Sequence, residues 1–424
     1  MAVSDIQGTP YTIHVSEASG FYPWLVVVAC FGLTLTLGET FWSFGVFFKP
    51  LEQEFGWSRA AVSSIFTAFL LGYAVSVVAS GRAADRYNPK PVLLASAVLI
   101  GAGLSLCSLA STIHHFRFFL LVVGLGSGAT WSVPNSTVQR WFYKRRGAGA
   151  ALGIVVSGVG VGALVFAPLI NYLIQALGWR ATFLSIGLLF FVIILSSTVA
   201  IRSSPPETMV FKKKGRIHPS SPVAIPNGVD HPLRTRAFAA TVFVLSAAMV
   251  IFQTISAHLV PHAIDMGISP SAAAAALGLM GGFSIPGRLL AGLLSARVGW
   301  HRLLSLSCFG MSVSMVWLWV VRDIWMLYVF ALFYGVFHGI RIAGGVGVLP
   351  EIFGIRFLGE LIGVSAALGQ VIASFSPYLA GAIFDATGSY APAFLIIFLL
   401  GMAAALVAAL LKRMAPLVAR SGPS

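Results

Sequence analysis

Apolar runs follow one another along almost the whole chain, at 23–48, 60–80, 92–112, 117–139, 148–176 and 181–201, then at 237–261, 271–295, 303–321, 325–349, 360–384 and 391–411. A helix needs about 20 mostly apolar residues to cross the hydrocarbon core of a bilayer, so the pattern predicts twelve crossings. The stretch 202–236 between the sixth and seventh runs differs in kind. It carries Pro205, Pro206, Lys212, Lys213, Lys214, Arg216, Pro219 and Pro222 and reads as a basic linker. Residues 1–22 are polar, with Asp5, His14 and Glu17, and lack a basic segment leading into a short apolar core. The first span, and not a cleaved signal peptide, is therefore expected to direct insertion.

Composition narrows the class. Of 424 residues, 58% are hydrophobic and 9% charged, far from the roughly one quarter charged of soluble domains. That excludes a water-soluble globule and a disordered chain and leaves an all-α membrane protein in contact with the lipid bilayer. The 44 glycines suit membrane helices packed backbone to backbone. Cys30, Cys107 and Cys308 all fall inside apolar runs, without the spacing of a disulfide framework or a zinc site. The net charge of +14 is a topology signal. With the N-terminus inside, twenty of the 27 Lys and Arg residues fall on the cytoplasmic side and five outside; Arg288 and Arg341 lie within spans. Both termini are thus expected in the cytoplasm of an inner or plasma membrane protein, and a nucleic-acid partner is not expected.

The halves resemble each other at a shift of 211 residues. Gly56-Trp57-Ser58 maps on Gly267-Ile268-Ser269, Gly81 and Arg86 on Gly292 and Arg297, Gly124 and Gly128 on Gly335 and Gly339, Gly158 on Gly369, and Phe183 on Phe394. A recurring shift close to half the length predicts two six-helix bundles in parallel repeat, over 23–201 and 237–412, with short tails at 1–22 and 413–424. Such a pair encloses a site at the bundle interface near the midplane and exposes it alternately to each side. Transport is the function this design serves.

Gly81-Arg-Ala-Ala-Asp85-Arg86-Tyr-Asn-Pro-Lys90 resembles the loop motif between spans 2 and 3 of the major facilitator superfamily, with a degenerate copy at Gly292–Gly299. The resemblance implies that Asp85 and Arg86 bond helix ends in one state and release them in another. Ser43-Phe-Gly-Val-Phe-Phe-Lys-Pro-Leu51 with Phe55-Gly-Trp-Ser58, and Trp141-Phe-Tyr-Lys-Arg-Arg-Gly147 with Gly153, Gly158 and Gly160, resemble the monocarboxylate porters. Ser284-Ile-Pro-Gly-Arg288-Leu-Leu-Ala-Gly292 resembles span 8 of that group and of the oxalate–formate antiporters.

Ionised side chains within a membrane need a reason, because each costs at least about 2.5–3.5 kcal/mol at the helix centre. Arg288 lies deep in span 8 with Ser284 on its face. It either pairs with a substrate carboxylate through its planar fork of donors or holds helix backbones or an acid such as Glu39; the resemblance favours the substrate. Arg341 lies about as deep in span 10, with Tyr334 and His338 on its face and Phe337 adjacent. It is a second carboxylate anchor, or else a snorkelling side chain that reaches toward Glu351. Glu39, on a polar stripe with Thr36, Thr40 and Ser43, either carries a coupling proton or makes a permanent salt bridge to one of these arginines. His258 and His338 are candidates for proton relay or gating, or inert histidines. Trp131 and Asn135 on span 4, Trp42 on span 1 and Gln370 on span 11 suit a pocket wall, and equally suit helix packing.

Two departures from the resemblance stand out. Animal monocarboxylate porters often carry a lysine in span 1 and an aspartate four residues before the span 8 arginine; Trp42 and Ser284 stand here. The oxalate–formate antiporters carry a lysine in span 11, and 360–384 contains none. The expected function is proton-coupled symport of a small monocarboxylate such as lactate or pyruvate, by a monomer without cofactors. The alternative is exchange of di- or larger carboxylates with Arg288 and Arg341 acting together. Nothing in the spacing of His, Asp or Cys suggests an enzyme or a metal site.

Overall fold

The computed structural model describes residues 22–142, 147–201, 232–354 and 357–414, preceded by a two-residue antiparallel pairing of Val3–Ser4 (β1) with Pro10–Tyr11 (β2). The Asp85 side chain, most of the basic stretch 202–236 and the tails lie largely or wholly outside the described residues. The helices are α1 (Tyr22–Trp42), α2 (Phe44–Phe55), α3 (Arg59–Arg86), α4 (Pro89–Cys107), α5 (Ile113–Ser127), α6 (Ala129–Trp141), α7 (Ala148–Ala200), α8 (Arg236–Asp265), α9 (Pro270–Val298), α10 (Trp300–Val320), α11 (Ile324–Phe353), α12 (Leu358–Ser374), α13 (Ser376–Thr387) and α14 (Ala391–Met414). At 1.5 Å per residue the 53 residues of α7 would run about 80 Å, well over twice the hydrocarbon thickness. The chain turns back at Gly178, where φ is 80°, and α7 makes two crossings. The pairs α1–α2, α5–α6 and α12–α13 each make one, which brings the total to twelve. The helices outrun the apolar runs, as α3 shows by continuing to Arg86, because charged ends extend into water.

The helix bounds carry the repeat further than the sequence matches did. Shifted by 211, α3 falls on α9, α4 on α10, α5–α6 on α11, and the first part of α7 on α12–α13. The caps repeat as well. Ser58 accepts from the backbone N–H of Ala61 at 3.3 Å, and its counterpart Ser269 accepts from Ala272 at 3.3 Å. Thr112 and its counterpart Asp323 cap α5 and α11 in the same way. Gly56 and Gly267, also 211 apart, both sit at positive φ, 63° and 85°, where a Cβ would be strained. Each half is therefore built from the same hairpin chemistry. The interruptions at Ser43, Gly128 and Phe375 have no counterpart in the other half; each is followed within seven residues by a proline, which removes an i−4 hydrogen bond.

The halves meet through small residues. Where α7 crosses α9, a Cβ on Gly160 would stand 2.6 Å from the carbonyl oxygen of Gly281, and one on Gly278 would stand 3.2 Å from that of Ala163. Gly160→Ala should therefore lower stability by about 1–3 kcal/mol, because an overpacked contact must shift backbone. Gly153→Ala, which faces open space, should leave the melting temperature within a degree or two. Thermal unfolding of the two variants in detergent checks this.

Candidate functional site

Trp42 ends α1, and the interruption at Ser43 lets its fully buried indole reach across to the other half. It meets the Phe252 ring edge-on at 4.9 Å and the His338 ring at 5.2 Å. Phe252 and His338 lie 4.4 Å apart, and Tyr334 stacks on His338 at 6.2 Å. These rings close one side of a polar cluster. Arg288 donates from Nη1 to the carbonyl oxygen of Val156 on α7 at 2.7 Å and from Nη2 to Ser284 Oγ at 3.3 Å, while its Nε is buried with no partner. No carboxylate among the described residues pairs with it. Arg341 is 9% exposed, its Nε also lacks a partner, and its guanidinium carbon stands 5.8 Å from the Phe252 ring centre.

Among the described residues, Glu39 Oε2, Ser43 Oγ, Gln253 Oε1, Thr254 Oγ1, Tyr334 OH, His338 Nδ1 and Gln370 Nε2 are also buried without a hydrogen-bond partner, as are Glu52 Oε2, Arg59 Nη1 and Trp319 Nε1 elsewhere in the molecule. The first seven come from α1, α8, α11 and α12 and from the turn at Ser43. A buried polar group without a partner costs about 1–3 kcal/mol.

At the end of the molecule away from Tyr22, Ile201, Pro232 and Met414, the halves are bolted together. Lys49 reaches Glu52 at 2.8 Å and, across the junction, Asp265 at 2.6 Å. Arg59 pairs with Glu52 at 3.0 Å and with Asp265 at 2.6 Å, and its guanidinium lies 3.6 Å over the Phe384 ring. The Asp385 carboxylate accepts from the backbone N–H groups of Arg59 and Ala60, both at 2.8 Å, and so caps α3 from the opposite half. Glu54, the counterpart of Asp265 at the 211 shift, instead braces its own half. The Trp179 indole N–H and then Arg180 hold its carboxyl below the usual carboxylate range.

His258 belongs to this closure and not to an exposed interface. It is fully buried, its Nε2 bonds the Pro377 carbonyl at 2.8 Å, and its Nδ1 meets the Tyr390 hydroxyl at 2.9 Å. Because a carbonyl only accepts, Nε2 carries the proton. The Pro377 oxygen is thus satisfied beside the interruption between α12 and α13, as irregular backbone within a membrane requires.

The other expected residues divide. Ser284 is in place beside Arg288. The anticipated reach of Arg341 to Glu351 is corrected, because Glu351 holds His301 at 2.6 Å. The salt bridge considered for Glu39 does not form among the described residues, although its side chain is 4% exposed. Phe337 is corrected as a pocket residue: its ring packs against Gly310 and the Ala291–Leu303–Ile340 cluster. Asn135 bonds the Trp131 carbonyl of its own helix at 2.7 Å, and both residues are half-buried. A Cβ on Gly81 would stand 3.5 Å from the Ser132 side chain, Arg86 is exposed, and Lys90 Nζ lies 3.5 Å from the Val199 carbonyl. The set of Lys49, Glu52, Arg59, Asp265 and Asp385 that links the halves is not evident in the sequence. Its available signal was three of only 13 acidic residues gathered at one end of the bundle beside two bases.

Two repeated bundles of six crossings with a cationic cluster at their junction define a membrane transporter. Residues 26–324 match the family model described as Major Facilitator Superfamily, and the chain belongs to that superfamily. It is similar to monocarboxylate transporter 13 of Rattus norvegicus, with 27% identity over 91% of this chain and 88% of that one. Monocarboxylate transporter 11 of Homo sapiens is 26% identical over 92% and 83%, and monocarboxylate transporter 12 of Xenopus laevis 23% over 91% and 87%. In fold it is similar to a bacterial homologue of the human lysosomal transporter Spinster in an inward-facing, unoccupied conformation, with TM-score 0.72 and 16% identity over 96% of this chain and 100% of that one.

Proposed function

We propose that the protein moves a small monocarboxylate together with a proton across the cytoplasmic membrane by alternating access, with Arg288 as the carboxylate anchor. The observation that carries this reading is a guanidinium between the halves, held by a carbonyl and a hydroxyl and by no acid among the described residues. An incoming carboxylate neutralises it and displaces the Val156 oxygen, and so loosens a link between α9 and α7. Both termini and the linker 202–236 face the cytoplasm, in keeping with the excess of basic residues on that side. The bolted end is then the outer one and the conformation opens inward. The bundles over 23–201 and 237–412 rock against each other, and the Gly81–Lys90 loop takes part at the inner face. The relatives named above support the monocarboxylate class.

Glu39 is the proton carrier in this reading, because it is buried, unpaired on Oε2 and free of any cation among the described residues. Uptake of labelled lactate into proteoliposomes should rise with an inwardly directed proton gradient, acid outside. Glu39→Gln should abolish that acceleration while lactate–lactate exchange persists. Gradient-driven uptake that survives in Glu39→Gln sends the assignment elsewhere.

A further inference from the structure

At the end away from the bolt, α10 begins at Trp300 and α14 ends at Met414, so the two helices run antiparallel. Ser305 donates from Oγ to the Ala405 carbonyl at 2.7 Å and fixes their register. A cleft of 430 Å³ lies between them, lined by Leu306, Phe309, Met402, Leu406 and Ala409, with Arg302 as its charged member. Leu306, Phe309 and Leu406 are exposed, so in a bilayer the cleft faces lipid. It follows α10 from Phe309 to Arg302, a distance of about 10 Å at the helical rise. Arg302 stands at its end nearest the water, in the first turn of α10. Lys412 and Arg413, three and four residues beyond Ala409, continue the same face of α14. Among the described residues Arg302 has no ion pair. Glu351, which reaches the adjoining residue, is held by the His301 ring at 2.6 Å and by the His301 backbone N–H at 3.0 Å.

Lipid tails are as apolar as leucine, so an acyl chain gains little by choosing this cleft over its neighbours. The charge at the end of the cleft is what selects an occupant. We propose that the cleft between α10 and α14 is a binding site for an anionic phospholipid of the inner leaflet, with its phosphate on the Arg302 guanidinium and one acyl chain along Leu306, Phe309 and Leu406. The planar fork of Arg302 meets two phosphate oxygens at once. Lys412 and Arg413 add to the positive field there, and a zwitterionic headgroup brings its own cation into that field. The inner-leaflet assignment rests on the orientation proposed for the termini; occupancy of the cleft does not.

The test is native mass spectrometry of the purified full chain in detergent, with phosphatidylglycerol and phosphatidylcholine of identical acyl chains added in equal amounts. The wild type should retain phosphatidylglycerol about fivefold more than phosphatidylcholine, the effect of one basic side chain on an anionic headgroup. In Arg302→Gln the preference should drop below about twofold, and Arg302→Lys should keep most of it because the charge remains. Ala409→Leu fills the cleft without altering a charge and should lower bound phosphatidylglycerol by about threefold or more. Arg302 and Ala409 are both exposed, so these variants should fold. Equal retention of the two lipids by the wild type, or a preference unchanged in Arg302→Gln, overturns the site. Retention unchanged in Ala409→Leu overturns the cleft as the seat of the chain. Displacement of phosphatidylglycerol by glycerol 3-phosphate would make the site one for a soluble anion and overturn the lipid. None of these outcomes bears on carboxylate uptake through Arg288, which is measured separately.

Discussion

Arg288→Gln is expected to lower the initial rate of carboxylate uptake by about 100-fold or more, since two charge-assisted hydrogen bonds to a carboxylate contribute roughly 3–5 kcal/mol together. Arg288→Lys should recover little of this loss. An ammonium is a point charge, and it lacks the planar fork that meets both carboxylate oxygens at once. The same guanidinium also bonds Val156 O and Ser284 Oγ, so thermal stability must be followed in parallel. A change of under about 1.5 kcal/mol is expected on that axis, the net worth of an ordinary hydrogen bond. The two measurements separate a lost anchor from a damaged junction. Uptake within threefold of wild type in a folded Arg288→Gln protein would remove the anchor altogether.

The second large effect concerns the bolted end. Arg59 is 5% exposed and holds acids from both halves, Glu52 and Asp265, while it stacks on Phe384. Truncating one member of a buried ion pair costs about 3–5 kcal/mol, because the remaining charges are left unpaired. Arg59→Gln should transfer that penalty to the conformation closed at this end and shift the population toward the one open there by about 100-fold or more. Spin labels at Gln53 on α2 and Ser269 before α9, both exposed on opposite halves, should report a longer distance in the variant than in the parent. Unchanged distances would mean that Asp385 and the apolar contacts keep the end shut without Arg59.

Periodicity carried most of the fold into view. The twelve crossings, the two halves and the 211-residue offset are visible in the chain because burial in lipid demands long apolar runs and a duplicated design duplicates its caps. The junction was less visible. Trp42 could be placed on a helix but not aimed, because the interruption at Ser43 depends on how α1 and α2 pack and not on local propensity. Phe337 and Tyr334 are three residues apart on α11; which of them faces the cluster was settled by Gly310, whose missing side chain admits the Phe337 ring. Nothing in the local sequence distinguishes Arg59 and Asp265 from charges in water, since only the packing of the two bundles seals them. His258 likewise owes its place to Pro377 and Tyr390, more than 100 residues away along the chain.

The crossing of Gly160 with Gly281 bears on speed as well as packing. Interlocked side chains must climb out of one another before two surfaces can slide, and each escape adds to the barrier. In the proposed alternating access, the close backbone approach of α7 and α9 at this crossing would let the bundles roll there like a shaft in a bearing, with the charges at the bolted end as the latch. Turnover in that reading is set by how fast the latch lets go, and a few substitutions among its partly to fully buried acids and bases would retune it without recutting the pivot.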